Sequence, residues 1–332
     1  MKSFDACTTH LQKMLYPLRC VTRMLAGKPA GQTTGNRWLA VSIGTFLVAT
    51  SDSAAQCNAT WMLGSVGGPS PREGAFMVFD SIRKRVVLFG GGNGASGARF
   101  NDTWEWDGHV WTQRFPTGAI PSSRMAGAAA FDSVRAKMII FGGNAVNNSS
   151  NFGDTWEWDG QSWALVAASG PAARTVPGMT FDTARSVAIL VGGQNVNDPP
   201  FRETWRWSGT SWTLASSLGP SGRYGASVAF DSLRESLVFF GGTSFFGQSQ
   251  FFNDTREWNG ADWTYQTPPV IPQARRFHAI VFDRDRSACV MFGGEAAGTV
   301  LLADTWLWSG QEWTQLDVTG PSARRLPAMV YD

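Results

Sequence analysis

The chain has 332 residues and a formal charge of +2, from 28 Lys and Arg against 26 Asp and Glu. Residues 1–56 hold six of the basic groups (Lys2, Lys13, Arg19, Arg23, Lys28, Arg37) against Asp5 and Asp52, leaving 22 basic and 24 acidic groups for the rest. Without a basic face or a block of like charge, nucleic acid is not an expected partner. The three His (His10, His109, His278) form no cluster with metal spacing, so no metal and no cofactor is expected.

Residues 1–55 read as a leader. The apolar run 38–49 follows Lys28 and Arg37 and precedes Ser53, Ala54 and Ala55. That is the layout of a secretory signal peptide, with cleavage expected near Ala55 and Gln56. The run is short for a membrane span, so no stable span is expected after cleavage; an uncleaved anchor is the competing expectation. Initiation at Met24 would shorten the stretch before Arg37. Gln56 before Cys57 departs from a lipobox, which argues against a lipoprotein. The expected location is secreted, periplasmic or cell-surface. Cys7 and Cys20 leave with the leader. Cys57 and Cys289 then either pair, or Cys289, in the apolar run Ala288 to Phe292, is a buried small hydrophobe.

From residue 57 onward one unit recurs. Arg72, Arg124, Arg174, Arg223, Arg275 and Arg324 each precede an Asp by eight positions and lie 52, 50, 49, 52 and 49 residues apart. Self-similarity at this period marks a repeat architecture. The repeats run 72–116, 124–166, 174–216, 223–267 and 275–317, with a partial copy at 324–332. Each complete repeat contains four short β-type runs separated by turn chemistry. The first is rich in small residues, as in Ala126-Gly-Ala-Ala-Ala130, which suits a strand crowded near an axis. The second is continuously apolar, as in Val86 to Phe89, and so buried on both faces. It stops at a glycine doublet: Gly90-Gly91, Gly142-Gly143, Gly192-Gly193, Gly241-Gly242 or Gly293-Gly294. The third alternates, with Trp104 and Trp106 on one face and Glu105 on the other. A two-residue turn such as Asp107-Gly108 or Asn259-Gly260 leads to the fourth, which carries Trp111, Trp163, Trp212, Trp263 or Trp313. The first hairpin repeats Asp-Ser/Thr-x-Arg, where the Asp caps the turn.

Four antiparallel strands repeated radially make a β-propeller. The fold class is all-β, with five complete four-stranded blades and an incomplete sixth. Trp61 precedes Arg72 by 11 residues, as Trp163 precedes Arg174, so 57–63 is expected as the outer strand of the sixth blade and 324–332 as its inner strand. Two further readings follow from this count: a chain cut from a propeller of six or more blades, or a five-bladed ring with spare strands.

The glycine doublet, the aromatic Trp106 that follows it, the spaced Trp111 and the leading Arg resemble the kelch family across residues 57–332. The wording Asp-Thr-Trp-Glu-Trp-Asp-Gly resembles exported bacterial kelch proteins, and the propeller resembles the central domain of galactose oxidase. Two departures are local: Glu203 replaces the Asp of Asp-Thr-Trp, and Arg256 replaces the first Trp. The resemblance to a copper radical oxidase stops at the fold, since the Cys, Tyr and His such an enzyme needs are scarce.

In a four-strand meander the second-to-third and fourth-to-first connections share one side. Here the loops 92–101, 144–153, 194–202, 243–253 and 295–303 are unrelated in sequence, whereas the hairpins of the other side are uniform. Variable loops on a rigid support carry specificity. Phe245, Phe246, Phe251 and Phe252 crowd one of them, either as an exposed patch or as a seal on the rim. The six Arg (Arg72, Arg124, Arg174, Arg223, Arg275, Arg324) are ligand-binding candidates by the kelch resemblance. Their competing role is internal pairing with Asp102, Asp154, Glu203, Asp254 and Asp304. No catalytic residue is assigned. The expected function is a non-catalytic binding propeller recognising a protein or glycan through the loop face. Two alternatives are carried: a sugar-acid mutarotase-like enzyme using Arg and acids at the channel mouth, and a structural surface module of a longer protein.

Overall fold

A computed structural model describes residues 68–332 apart from 95, 147–149, 196–197 and 246–249. The leader, Cys57 and the expected strand 57–63 lie outside the described residues. Five four-stranded antiparallel sheets follow one another along the chain. In blade one they are β1 (Phe76–Asp80), β2 (Arg85–Phe89), β3 (Thr103–Trp106) and β4 (Trp111–Arg114). Blades two to five begin with the inner strands Ala128–Asp132, Gly178–Asp182, Ser227–Asp231 and Ala279–Asp283. Inner strands of consecutive blades lie side by side, which sets the sheets radially about one axis as a β-propeller.

The hydrophobic interior is divided into wedges between blades. Val87 and Phe89 of blade one pack against Met138, Ile140, Trp158 and Trp163 of blade two. The same sandwich recurs between blades two and three, three and four, and four and five. Each second strand is buried on both faces because it is central within its sheet and covered by a neighbour on either side. Cys289 sits in the last of these wedges as a free, buried thiol, and burial pushes its titration well above the ordinary value.

The turn chemistry is as the sequence implies. Asp80 Oδ1 accepts from the amides of Ile82 (3.0 Å) and Arg83 (2.8 Å), and Asp132 and Asp231 repeat the cap. The glycine doublets tie blade to blade. Gly143 N–H donates to the carbonyl of Arg174 at 2.9 Å, and a Cβ on Gly142 would stand 2.6 Å from that same oxygen. Only glycine permits that approach together with the left-handed backbone (φ 71 and 94 at the pair).

The fourth-strand Trp is a cross-blade tie. Trp163 Nε1 donates to Thr103 Oγ1 (3.0 Å), Trp212 to Thr155 (2.8 Å), Trp263 to Thr204 (2.9 Å) and Trp313 to Thr255 (2.8 Å). In each case the Thr opens the third strand of the preceding blade. Thr305, the fifth member of that series, is buried, and its hydroxyl has no partner among the described residues.

The sixth blade is incomplete. Residues 324–332 occupy the place of an inner strand: Leu326 N–H reaches the carbonyl of Phe277 (2.7 Å), and Pro327 to Met329 line the central channel. They do not form the expected strand, since no strand is assigned there. An inner strand takes its ladder from its own second strand, and among the described residues none pairs with this segment. No helix among the described residues is long and apolar enough to cross a membrane.

Candidate functional site

Four of the repeat Arg residues lie buried inside the blades. Arg124, Arg174, Arg223 and Arg275 are 0–2 % exposed. Arg124 clamps Asp154 with both Nη atoms (2.6 and 2.9 Å) and donates to the carbonyl of Gly142 (3.3 Å). Its guanidinium lies 3.9 Å above the ring of Phe152. Arg72 repeats this on Asp102 and Phe100 and Arg223 on Asp254 and Phe252, whereas Arg174, over Phe201, meets Glu203 through Nη2 alone (3.0 Å). Arg275 pairs with Asp304 at 2.7 Å through both Nη atoms. Arg324 donates through Nε to the carbonyl of Ser322 (2.9 Å). Of the two expected roles, the geometry supports the internal strut for the five that pair with an acid, Arg72, Arg124, Arg174, Arg223 and Arg275.

The acids are held twice over. Trp104, Trp156 and Trp306 donate to Asp102, Asp154 and Asp304, each at 2.7 Å. Both sequence departures keep this arrangement. Glu203 accepts from Trp205 (2.9 Å), and Arg256 replaces the indole by giving Nε to Asp254 (2.9 Å). Burial raises these carboxyls, but their Arg and Trp partners outweigh it and hold all five below their ordinary values.

The residue after each Arg, rather than the Arg itself, forms the rim of the axial mouth. Glu73, Met125, Thr175, Tyr224 and Arg276 each bridge to the residue just beyond the glycine doublet of their blade. The next positions carry the axis itself. Ala126 N–H donates to Gly74 O, Val176 to Ala126, Gly225 to Val176, Phe277 to Gly225 and Leu326 to Phe277, at 2.6–3.0 Å. All six residues of this chain of bonds have positive φ (50–67), so it holds Val176 and Phe277 in a region strained for side-chain-bearing residues.

One sector of the rim is chemically distinct. Arg276 donates to Glu295 (2.6 Å) and to the hydroxyl of Tyr224 (3.2 Å). Its guanidinium stands over Phe277 (4.6 Å), Phe245 (4.9 Å) and Phe251 (5.3 Å). Arg325 donates to the other Glu295 oxygen (3.1 Å) and lies 3.8 Å from Glu73. Burial alone would raise Glu295, yet Arg276 and Arg325 hold it below the ordinary carboxylate range. Burial raises Tyr224. Phe245, Val300 and Leu301 are exposed beside this cluster.

The four-Phe loop therefore divides. Phe252 is scaffold beneath Arg223, Phe251 and Phe245 flank Arg276, and Phe246 lies outside the described residues. Arg276, Tyr224, Glu295 and Arg325 were not singled out by sequence reasoning. Their signal was that the position following the repeated Arg varies among copies, which a search for repeated residues passes over.

Below the mouth, a channel cavity of about 170 Å³ is walled mainly by small and apolar side chains, among them Ala75, Gly127, Pro177 and Ala226. Ser227 and His278 are its polar members. His278 is buried with neither ring nitrogen partnered; burial, aided by Arg275, lowers its pKa to about 3. Among the described residues no group of three His, Cys, Asp or Glu is arranged to hold a metal.

No protein-family model and no curated protein sequence matches the chain. Among solved structures, one titled "Structure of YjhT" matches at 16 % identity with a TM-score of 0.61, covering 78 % of this chain and 88 % of that one. At that identity the likeness concerns the fold alone.

Proposed function

We propose that this protein is an exported kelch-type binding propeller, without catalysis of its own, that engages a glycan or protein through the loop face of blades four and five. The observation that carries this reading is the sector around Arg276. Aromatic surface, exposed apolar tips and balanced charge stand together on the one face where the repeats differ. Aromatic and Arg side chains in a partly desolvated setting are the usual anchors of recognition, and stacked faces beside a bidentate acid suit sugar rings as well as peptides. For the mutarotase-like alternative, burial takes Arg124, Arg174, Arg223 and Arg275 out of reach and leaves Arg276 and Arg325 with Glu73 and Glu295 as its Arg and acid groups at the mouth. Export rests on the leader and is tested by fractionation of cells expressing the full chain.

The binding test is a glycan and peptide array probed with the full-length protein, repeated with Phe245→Ala and Arg276→Ala. Each substitution removes an anchor and should weaken a true hit by about 2 kcal/mol, roughly thirtyfold. Hits unchanged in both variants would move the binding surface away from this sector.

A further inference from the structure

On the opposite, tight-turn face, one blade breaks a charge pattern that its neighbours keep. In blades one, two and four a glutamate at one register position of the third strand links two blades. Glu105 accepts from Arg83 of its own blade (2.8 Å) and from Trp158 of the next (3.4 Å). Glu157 does so from Arg135 (2.6 and 3.0 Å) and Trp207 (3.2 Å), and Glu257 from Arg234 (2.8 Å) and Trp308 (2.9 Å). Blade three has Arg206 at this register, opposite Ile189 as Glu157 is opposite Ile139.

The donors that elsewhere meet that glutamate are still in place. Trp258, only 1 % exposed, has no acceptor for Nε1, and the buried Nε of Arg206 has none either. Arg185 turns so that Nη1 rather than Nε meets Asp182 (2.9 Å), and its Nη2 goes to the carbonyl of Asn259. Arg206 Nη2 takes the carbonyl of Gly260. Two guanidiniums thus face one carboxylate, where blades two and four set one guanidinium against two. Buried donors left without acceptors next to surplus positive charge are the complement of an anion.

We infer that this position between blades three and four is a binding site for a small carboxylate. One oxygen accepts from Trp258 Nε1 and the other from Arg206, repeating what a glutamate side chain does in the neighbouring blades. The near-complete burial of Trp258 limits the ligand to the size of formate or acetate. The site is independent of the loop face and of the function proposed for it.

The indole N–H resonance of Trp258, identified by its loss in Trp258→Phe, reports on occupancy in the full chain labelled with ¹⁵N. Titration with sodium formate should move this resonance saturably, whereas sodium chloride at equal ionic strength should act at least about tenfold more weakly, because a carboxylate offers a separate oxygen to each of the two donors and a halide only a single centre. Arg206→Glu carries its own carboxylate and should no longer respond to formate. Arg206→Leu, which copies Leu307 of blade five, should also lose the response while keeping the fold. The inference is overturned by the absence of a saturable formate shift, by an equal response to chloride, or by a response that persists in both Arg206 variants.

Discussion

Replacing a single strut tests whether the repeat Arg residues hold the blades. In Arg124→Leu, the side chain that is lost carries two bonds to Asp154, bonds to the carbonyls of Gly142 and Ser122, and a ring contact with Phe152. Breaking a buried pair on one side costs about 3–5 kcal/mol. The Asp154 side chain is 23 % exposed and keeps Trp156 as a donor, so the lower end of that range applies, about 3 kcal/mol. The melting temperature should then fall by roughly 6–12 °C, read by differential scanning calorimetry.

Acid titration supplies a second signature. Asp154 has a lowered pKa in the folded state, so its pairing contributes fully above its unfolded value and is lost as pH falls through the folded one. The ordinary Asp value is 3.8, which places this loss below about pH 4. Arg124→Leu should therefore flatten the stability curve below pH 4 relative to the parent. Asp154→Asn should do the same, and the double variant should be less destabilised than the sum of the singles. A change below about 0.5 kcal/mol, the size of an ordinary surface substitution, would refute the strut reasoning.

The cross-blade ties make a matched pair: Trp212→Phe should cost about 1 kcal/mol for the lost bond to Thr155 (2.8 Å), while Thr305→Val, at a hydroxyl without a partner, should be neutral or stabilising in urea unfolding. Gly260→Ala places a methyl 2.1 Å from Arg185 Nε at φ 98, whereas Gly118→Ala (φ 88) meets nothing within 4 Å. The second should lose about 1 kcal/mol for backbone strain alone and the first about 1 kcal/mol more, because the Arg185 guanidinium must leave its bonds to Asp182 and the carbonyl of Asn259, and equal losses would contradict the packing described. Within the Phe-rich loop, Phe252→Ala should cost about 3 kcal/mol, since the ring lies 3.6 Å below Arg223. Phe245→Ala should leave the melting temperature within about 1 °C, as expected of a surface side chain outside the core.

Much of this architecture was legible in the residues. The 50-residue period, the alternating Trp pair, the glycine doublets and the Asp-capped hairpins depend on local chemistry and on repetition, and each maps onto the strand or turn expected of it. The division between variable and uniform faces follows from meander connectivity alone. The inner strand expected at 324–332 was only half right: the segment reaches its place, but no strand among the described residues forms a ladder with it.

Local pattern does not specify what a long side chain touches once the blades are stacked. Arg124 could have pointed to a ligand or to Asp154, and the decision came from the 30-residue separation closed by the sheet, which buries the guanidinium where a paired acid is needed. The rim of Arg276, Tyr224, Glu295 and Arg325 likewise exists only because adjacent blades bring four separate stretches to one mouth. The orphaned indole of Trp258 has the same origin: Arg206 is unremarkable along the chain and becomes an unmatched charge only beside the next blade. Sequence alone determined the repeated wedge, since its turns and periodicities act within a few residues. Tertiary structure decided which charges are satisfied, because burial and pairing are properties of the assembled ring.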